Sequence, residues 1–126
     1  MRDFARDASN VSNISVPYLV TASTEWLTNA FLGLGITSVD LSHWVTSGLI
    51  FNAINLFSGC TSLETVIVYG GTGSPFSDSP CVDYGNAFAN TNLSQQSYTD
   101  IVTAIEAAGT SSGTLGITGG SATTGS

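Results

Sequence analysis

The sequence predicts an α/β fold: a short solenoid of helix-turn-strand coils carrying a small parallel sheet. Three observations point there. An apolar phrase running from Ala30 to Leu41 is restated from Asn55 to Val68. Its matching positions recur at fixed offsets: 26 from Phe31 to Phe57, and 27 from Ile36 to Leu63, from Val39 to Val66 and from Leu41 to Val68. The residues that close each phrase, Val39 with Leu41 and Val66 with Val68, are spaced by two, so on a strand each pair points to one face.

A single short coil cannot bury such a face. Placing the next coil one strand spacing away buries it as part of a continuous core. A period between 20 and 30 with an L-x-x-V-x-L core is the pattern of a leucine-rich-repeat coil. Ser23 or Thr24 is a fitting cap for a short helix through Trp26, Leu27, Ala30 and Phe31, which Gly33 and Gly35 would end. Leu49, Ile50, Ala53, Ile54 and Phe57 recur at helical spacing up to Gly59, giving the second coil its helix.

The chain divides into an arm over 1–13, a repeat-bearing domain over 14–118 and a small-residue tail over 119–126. Ile14, Val16, Tyr18 and Val20 alternate well enough to predict an opening strand, placed at an edge because Pro17 has no N–H to donate. The stretch from Gly70 to Pro80 is dense in turn formers and reads as an exposed insertion. Asn86 to Leu93 restates the phrase, with Phe88 following Phe57 at the longer offset of 31. Ser94 then caps a helix in which Tyr98, Ile101, Val102 and Ile105 fall on one face. Leu115 and Ile117 supply a last strand.

Charge bounds the partners. Charged residues make up 9% of the chain, the formal net charge is −7, and Arg2 and Arg6 are its only cations. Nucleic-acid binding needs a basic surface to displace counterions from phosphate, and anionic lipid headgroups ask for the same. Neither partner fits. No apolar run is long enough to span a bilayer, and no apolar h-region follows the N-terminal arginines, so the segment does not read as a secretory leader. Synthesis and retention in a cytoplasm are the expectation. Cys60 and Cys81 are wrongly spaced for zinc; a bridge across the 70–80 stretch is compatible with the sequence, and a reduced pair is expected in that compartment.

At Val39 to Ser47 and Leu56 to Leu63 the chain resembles the BspA-like leucine-rich repeats, which carry the phrase LDLSxWDTS…MFxGCxSL in bacterial surface proteins. It departs from them at Val45, where that family usually has Asp, and in the apolar Leu49 to Ile54. From Phe88 to Gly120 it is similar to the closing coil of repeat domains in bacteriophage tail-fibre and other virion proteins. These resemblances imply a scaffold. The implied role is a non-enzymatic virion protein, as a capsid decoration, a knob or a tail-fibre adhesion module, assembled in the host cytoplasm. A fragment of a BspA-like cell-surface adhesin is the alternative.

Catalytic residues are not expected. His43 is the only histidine, and the carboxylates are scattered singly. No metal loop of the D-x-[DN]-x-[DN]-G type occurs and no cofactor is called for. Binding candidates are Phe76, Asp78, Asp83 and Tyr84, grouped around the insertion, where an aromatic on a polar loop is placed for contact. Arg2, Phe4 and Arg6 are candidate anchors for an acidic groove on a neighbouring capsid or tail protein. A host-surface glycan or protein is the further partner expected, and homo-oligomers are compatible with the composition.

Overall fold

The computed structural model describes residues 4, 10, 14–49, 52–80, 83–108 and 114–115. The fold is mixed α/β, with two small parallel sheets and one helix among the described residues. Strand β1 (Ser38–Asp40) pairs with β2 (Thr65–Ile67), and β3 (Asp83–Tyr84) pairs with β4 (Thr114–Leu115). Helix α1 spans Gln95–Ala107.

The β1–β2 register is Ser38 on Thr65, Val39 on Val66 and Asp40 on Ile67, the offset of 27 read from the sequence. Val39 and Val66 are buried while their strand neighbours face outward, and Leu41 and Val68 continue the inward row. Alternation of this kind buries one side of a strand and leaves the other wet.

The helices expected through Trp26–Phe31 and Leu49–Phe57 are absent among the described residues, which form turns there. Backbone hydrogen bonding gives the reason. Ala30 N–H donates to Leu27 O and Leu32 N–H to Asn29 O, three residues back, while Leu27, Asn29, Phe31 and Gly33 donate sideways to the carbonyls of Asn52, Ile54, Leu56 and Ser58. An α-helix would direct the N–H groups beyond its first turn to the carbonyl four residues back. Asn29 and Asn55 also hold positive φ, 56° and 58°, which breaks helical continuity at a residue type that tolerates the left-handed region.

The same pattern links the next pair of segments. Ala53, Asn55, Phe57 and Gly59 donate to the carbonyls of Asp83, Gly85, Ala87 and Ala89 at 2.6 to 3.0 Å. Three segments therefore lie side by side. Their phenylalanines form a column, Phe31 over Phe57 at 5.2 Å and Phe57 over Phe88 at 5.6 Å, with rings within 20° of parallel. Trp44 stacks on Phe31 at 6.0 Å and donates its indole N–H to Val16 O. These rings are fully buried and supply much of the apolar area that stabilises the domain.

The opening strand predicted over Ile14 to Val20 does not form. Leu19 N–H turns back to Val16 O, and residues 17–20 are a turn and bend, so Pro17 sits in a corner instead of at a sheet edge. Val20 is nonetheless buried, and its carbonyl accepts from Val45 N–H.

The 70–80 stretch is exposed at Gly70, Thr72, Ser74, Asp78 and Pro80, but it does not stand clear of the body. Gly73 N–H donates to Ser42 O, Phe76 N–H to Thr46 Oγ1 and Ser79 Oγ to Leu49 O, so the stretch runs alongside residues 42–49. Contact is close enough that a Cβ at Gly73 would collide with the backbone oxygen of Trp44. The extra residues of this segment are packed against the body, which is how the lateral offset grows without a protruding loop.

Helix α1 follows its sequence signal. Ser94 Oγ accepts from Ser97 N–H at 3.2 Å, and Tyr98, Ile101 and Val102 are buried. The Ser97 hydroxyl in turn accepts from Val66 N–H at 3.0 Å, closing a β2 edge bond that a further strand would otherwise provide. Strand β4 lies where a last strand is expected at Leu115; Ile117 and the 119–126 tail fall outside the described residues.

Candidate functional site

The sequence-selected residues do not converge on a surface. Phe76 is fully buried, with its ring edge-on to Tyr84 at 5.6 Å and to Phe88 at 6.5 Å. Tyr84 is buried beside it. Both belong to the core, and Phe76 is brought there by the contacts of the 70–80 stretch to Ser42, Thr46 and Leu49. Asp78 is exposed, yet its Oδ1 accepts from Thr46 N–H at 3.2 Å and from the Thr46 hydroxyl, which braces the turn that delivers Phe76. Asp83 Oδ1 accepts from Gly85 N–H at 3.0 Å within its own turn. Phe4 is 53% exposed and rests edge-on against Phe31 at 5.8 Å. Arg2, Arg6 and Cys81 lie outside the described residues.

A different set of groups lies on the first sheet and around its ends. Asp40 and Ile67 are register partners and both are exposed. Tyr69, two residues beyond Ile67, is 52% exposed, with its hydroxyl 3.5 Å from Asp100 O. Just past β1, His43 meets the Tyr18 ring at 5.1 Å with the planes tilted by 38°. Tyr18 is 67% exposed. On the other flank, His43 Nδ1 accepts from Thr72 N–H at 3.1 Å and lies 2.9 Å from Thr72 Oγ1. An N–H can only donate, so Nδ1 is an acceptor here and Nε2 carries the ring proton. His43 follows Tyr18 at an offset of 25, and Thr72 follows His43 at 29. These are the lateral spacings of the fold, and they are the sequence signal available for this row.

Asp40 completes the patch. Its Oδ1 accepts from the Ser42 hydroxyl at 2.6 Å and from Ser42 N–H at 2.9 Å. Those two bonds, with a smaller contribution from nearby His43, hold its carboxyl below the ordinary value of 3.8. Asp40 is therefore an anion at neutral pH, oriented through Oδ1 with Oδ2 left over.

Cys60 contrasts with it. Its thiol is free and buried, donates to Phe31 O at 3.1 Å, and is pushed by burial up to about 11. Such a thiol is a packing group and not a nucleophile. Among the described residues no group of three His, Cys, Asp or Glu side chains is placed to hold a metal ion, and no helix is long and apolar enough to cross a membrane.

Comparison with protein-family models, with curated proteins and with solved structures returned no match.

Proposed function

We propose that this chain is a short leucine-rich-repeat solenoid acting as a non-enzymatic phage virion protein, displayed on the particle surface as a capsid decoration, a knob or a tail-fibre adhesion module. The observation that carries the scaffold reading is the alignment of three segments. Asn29, Asn55 and Asn86 share positive φ, Phe31, Phe57 and Phe88 form one column, and sideways hydrogen bonds join neighbours throughout. In a stack of that kind each layer contacts only its neighbours and leaves a rigid outer face for binding.

The groups with chemical potential support the same reading through their existing commitments. The Cys60 thiol is buried and protonated, His43 Nδ1 is occupied by Thr72, and Asp78 braces Thr46. The virion setting rests on the resemblance of Phe88 to Gly120 to closing coils of phage fibre proteins. Its partners are then neighbouring capsid or tail proteins, with a host-surface glycan or protein as the external target.

The test is an inventory of purified particles. Mass spectrometry should find the chain at a fixed stoichiometry with the major capsid or tail protein, and gold-labelled antibody should decorate intact virions. Recovery of the chain only from a bacterial envelope fraction would overturn the virion assignment and move it to the adhesins.

A further inference from the structure

We propose that Tyr18, His43 and Asp40 form a binding subsite for a neutral pyranose sugar. The proposal deepens the adhesion reading above and rests on it for its biological setting, while the chemistry stands on the patch itself.

Sugar rings present a face of C–H groups and an equatorial rim of hydroxyls. A site for them therefore pairs an aromatic plate with a few oriented polar groups. Tyr18 is the most exposed of the large apolar side chains among the described residues, and its ring is held against His43. An exposed tyrosine on a rigid neighbour offers stacking area at low entropic cost, since only two side-chain angles need be fixed.

The polar groups are already oriented. Thr72 N–H fixes His43 in the tautomer that leaves Nε2–H as a donor. The Ser42 bonds fix the Asp40 carboxylate through Oδ1, leaving Oδ2 as a charged acceptor. One donor and one charged acceptor match a sugar hydroxyl pair, in which one oxygen accepts and the other donates. Val45 N–H donates to Val20 O, tying the segment of Tyr18 to the one that carries Asp40 and His43.

Charge selects among sugars. The body carries an anion at Asp40 within a chain of net charge −7, and Arg2 and Arg6, the only cations, both precede residue 7. Sialic and uronic acids would bring a like charge to that carboxylate, so neutral hexosides are the favoured class.

The experiment is a titration of the full ¹⁵N-labelled chain with methyl β-D-galactopyranoside, methyl α-D-mannopyranoside and N-acetylneuraminic acid. At least one neutral glycoside should shift the amides of Tyr18, Asp40 and His43, with a dissociation constant on the order of millimolar, as single-sugar contacts give. Tyr18→Ala and Asp40→Asn should each weaken it about tenfold, the weight of one charged hydrogen bond or a comparable stacking contact. Tyr18→Ala should leave the melting temperature nearly unchanged, because Tyr18 is largely solvent-exposed, whereas Asp40→Asn should lower it slightly by exchanging the charged bonds from Ser42 for neutral ones, so that variant is titrated well below its melting transition. Failure of both neutral glycosides to shift these amides, equal or tighter binding of N-acetylneuraminic acid, or unweakened binding by a folded Tyr18→Ala chain would each overturn the proposal. Virion location is decided by the particle inventory, so the two readings can fail separately.

Discussion

The side-chain amide of Asn55 donates to Asn29 Oδ1 across 3.0 Å, and both residues hold positive φ. One residue type thus meets two demands at the same level of adjacent segments. It tolerates the left-handed backbone, and it bonds sideways to the same residue type in the adjacent segment.

Separating those demands is a matter of two substitutions. Asn55→Gly keeps the backbone at ease and loses the side-chain bond, costing about 1 kcal/mol. Asn55→Ala loses the bond and strains the backbone as well, for about 2 kcal/mol or more. Urea denaturation of both variants checks the order.

Phe76 should behave as core. Phe76→Ala is expected to cost about 3–5 kcal/mol, although the residue lies in a stretch dense in glycine, serine and proline. Deleting 73–79 should unfold the domain, because it removes Phe76 together with the contacts to Ser42, Thr46 and Leu49. Thermal melts read both outcomes.

The strand faces can be tested in adjacent residues. Val66→Asp places an unpaired charge in the core and should cost more than about 3 kcal/mol, abolishing the folded state. Thr65→Asp, on the outward side, should change stability by less than about 0.5 kcal/mol. Circular dichroism of the two variants is sufficient.

Ser97→Ala should be worse than its conservative size suggests. It strips the buried Val66 N–H of its acceptor, at about 1–3 kcal/mol. Denaturant titration, with amide exchange at Val66 as a local readout, tests this.

Cys60 imposes a pH signature. Its folded-state pKa, about 11, stands above the ordinary value of 9.0, so the folded chain holds a proton that the unfolded chain releases. This contribution to stability is fully present below the ordinary value, falls as pH rises towards 11, and is flat beyond. Cys60→Ala should lack that decline. Iodoacetamide should label Cys60 in native protein far more slowly than in urea.

Some of this is legible in the sequence for clear reasons. The offset of 27 between Val39 and Val66 is itself the strand register, and Ser94 with Tyr98, Ile101 and Val102 spells a capped helix. The turns through Asn29 and Asn55 escape a periodicity argument because apolar residues at positions i, i+3 and i+4 satisfy a helix and a series of lateral turns alike. Asparagine recurring at the lateral offset, four positions before Gly33 and again before Gly59, is the discriminating mark. Phe76 is hard to place because glycine density looks the same whether it frees a loop or lets backbone approach Trp44 closely. Tyr18 and His43 belong to one row through their offset of 25, a relation that the alternating pattern around Tyr18 conceals.

The lateral bonds also set the tempo of folding. Each joins positions some 25 to 31 apart in a chain of 126, so no layer is held until a loop of that length has closed. Closing such a loop costs about 3 kcal/mol of chain entropy before any contact repays it. After the first pair of segments meets, the next adds to an existing edge. Separations of about a fifth of the chain place the domain with the slow, sheet-like folders, on the scale of milliseconds to seconds, despite its well-formed helix.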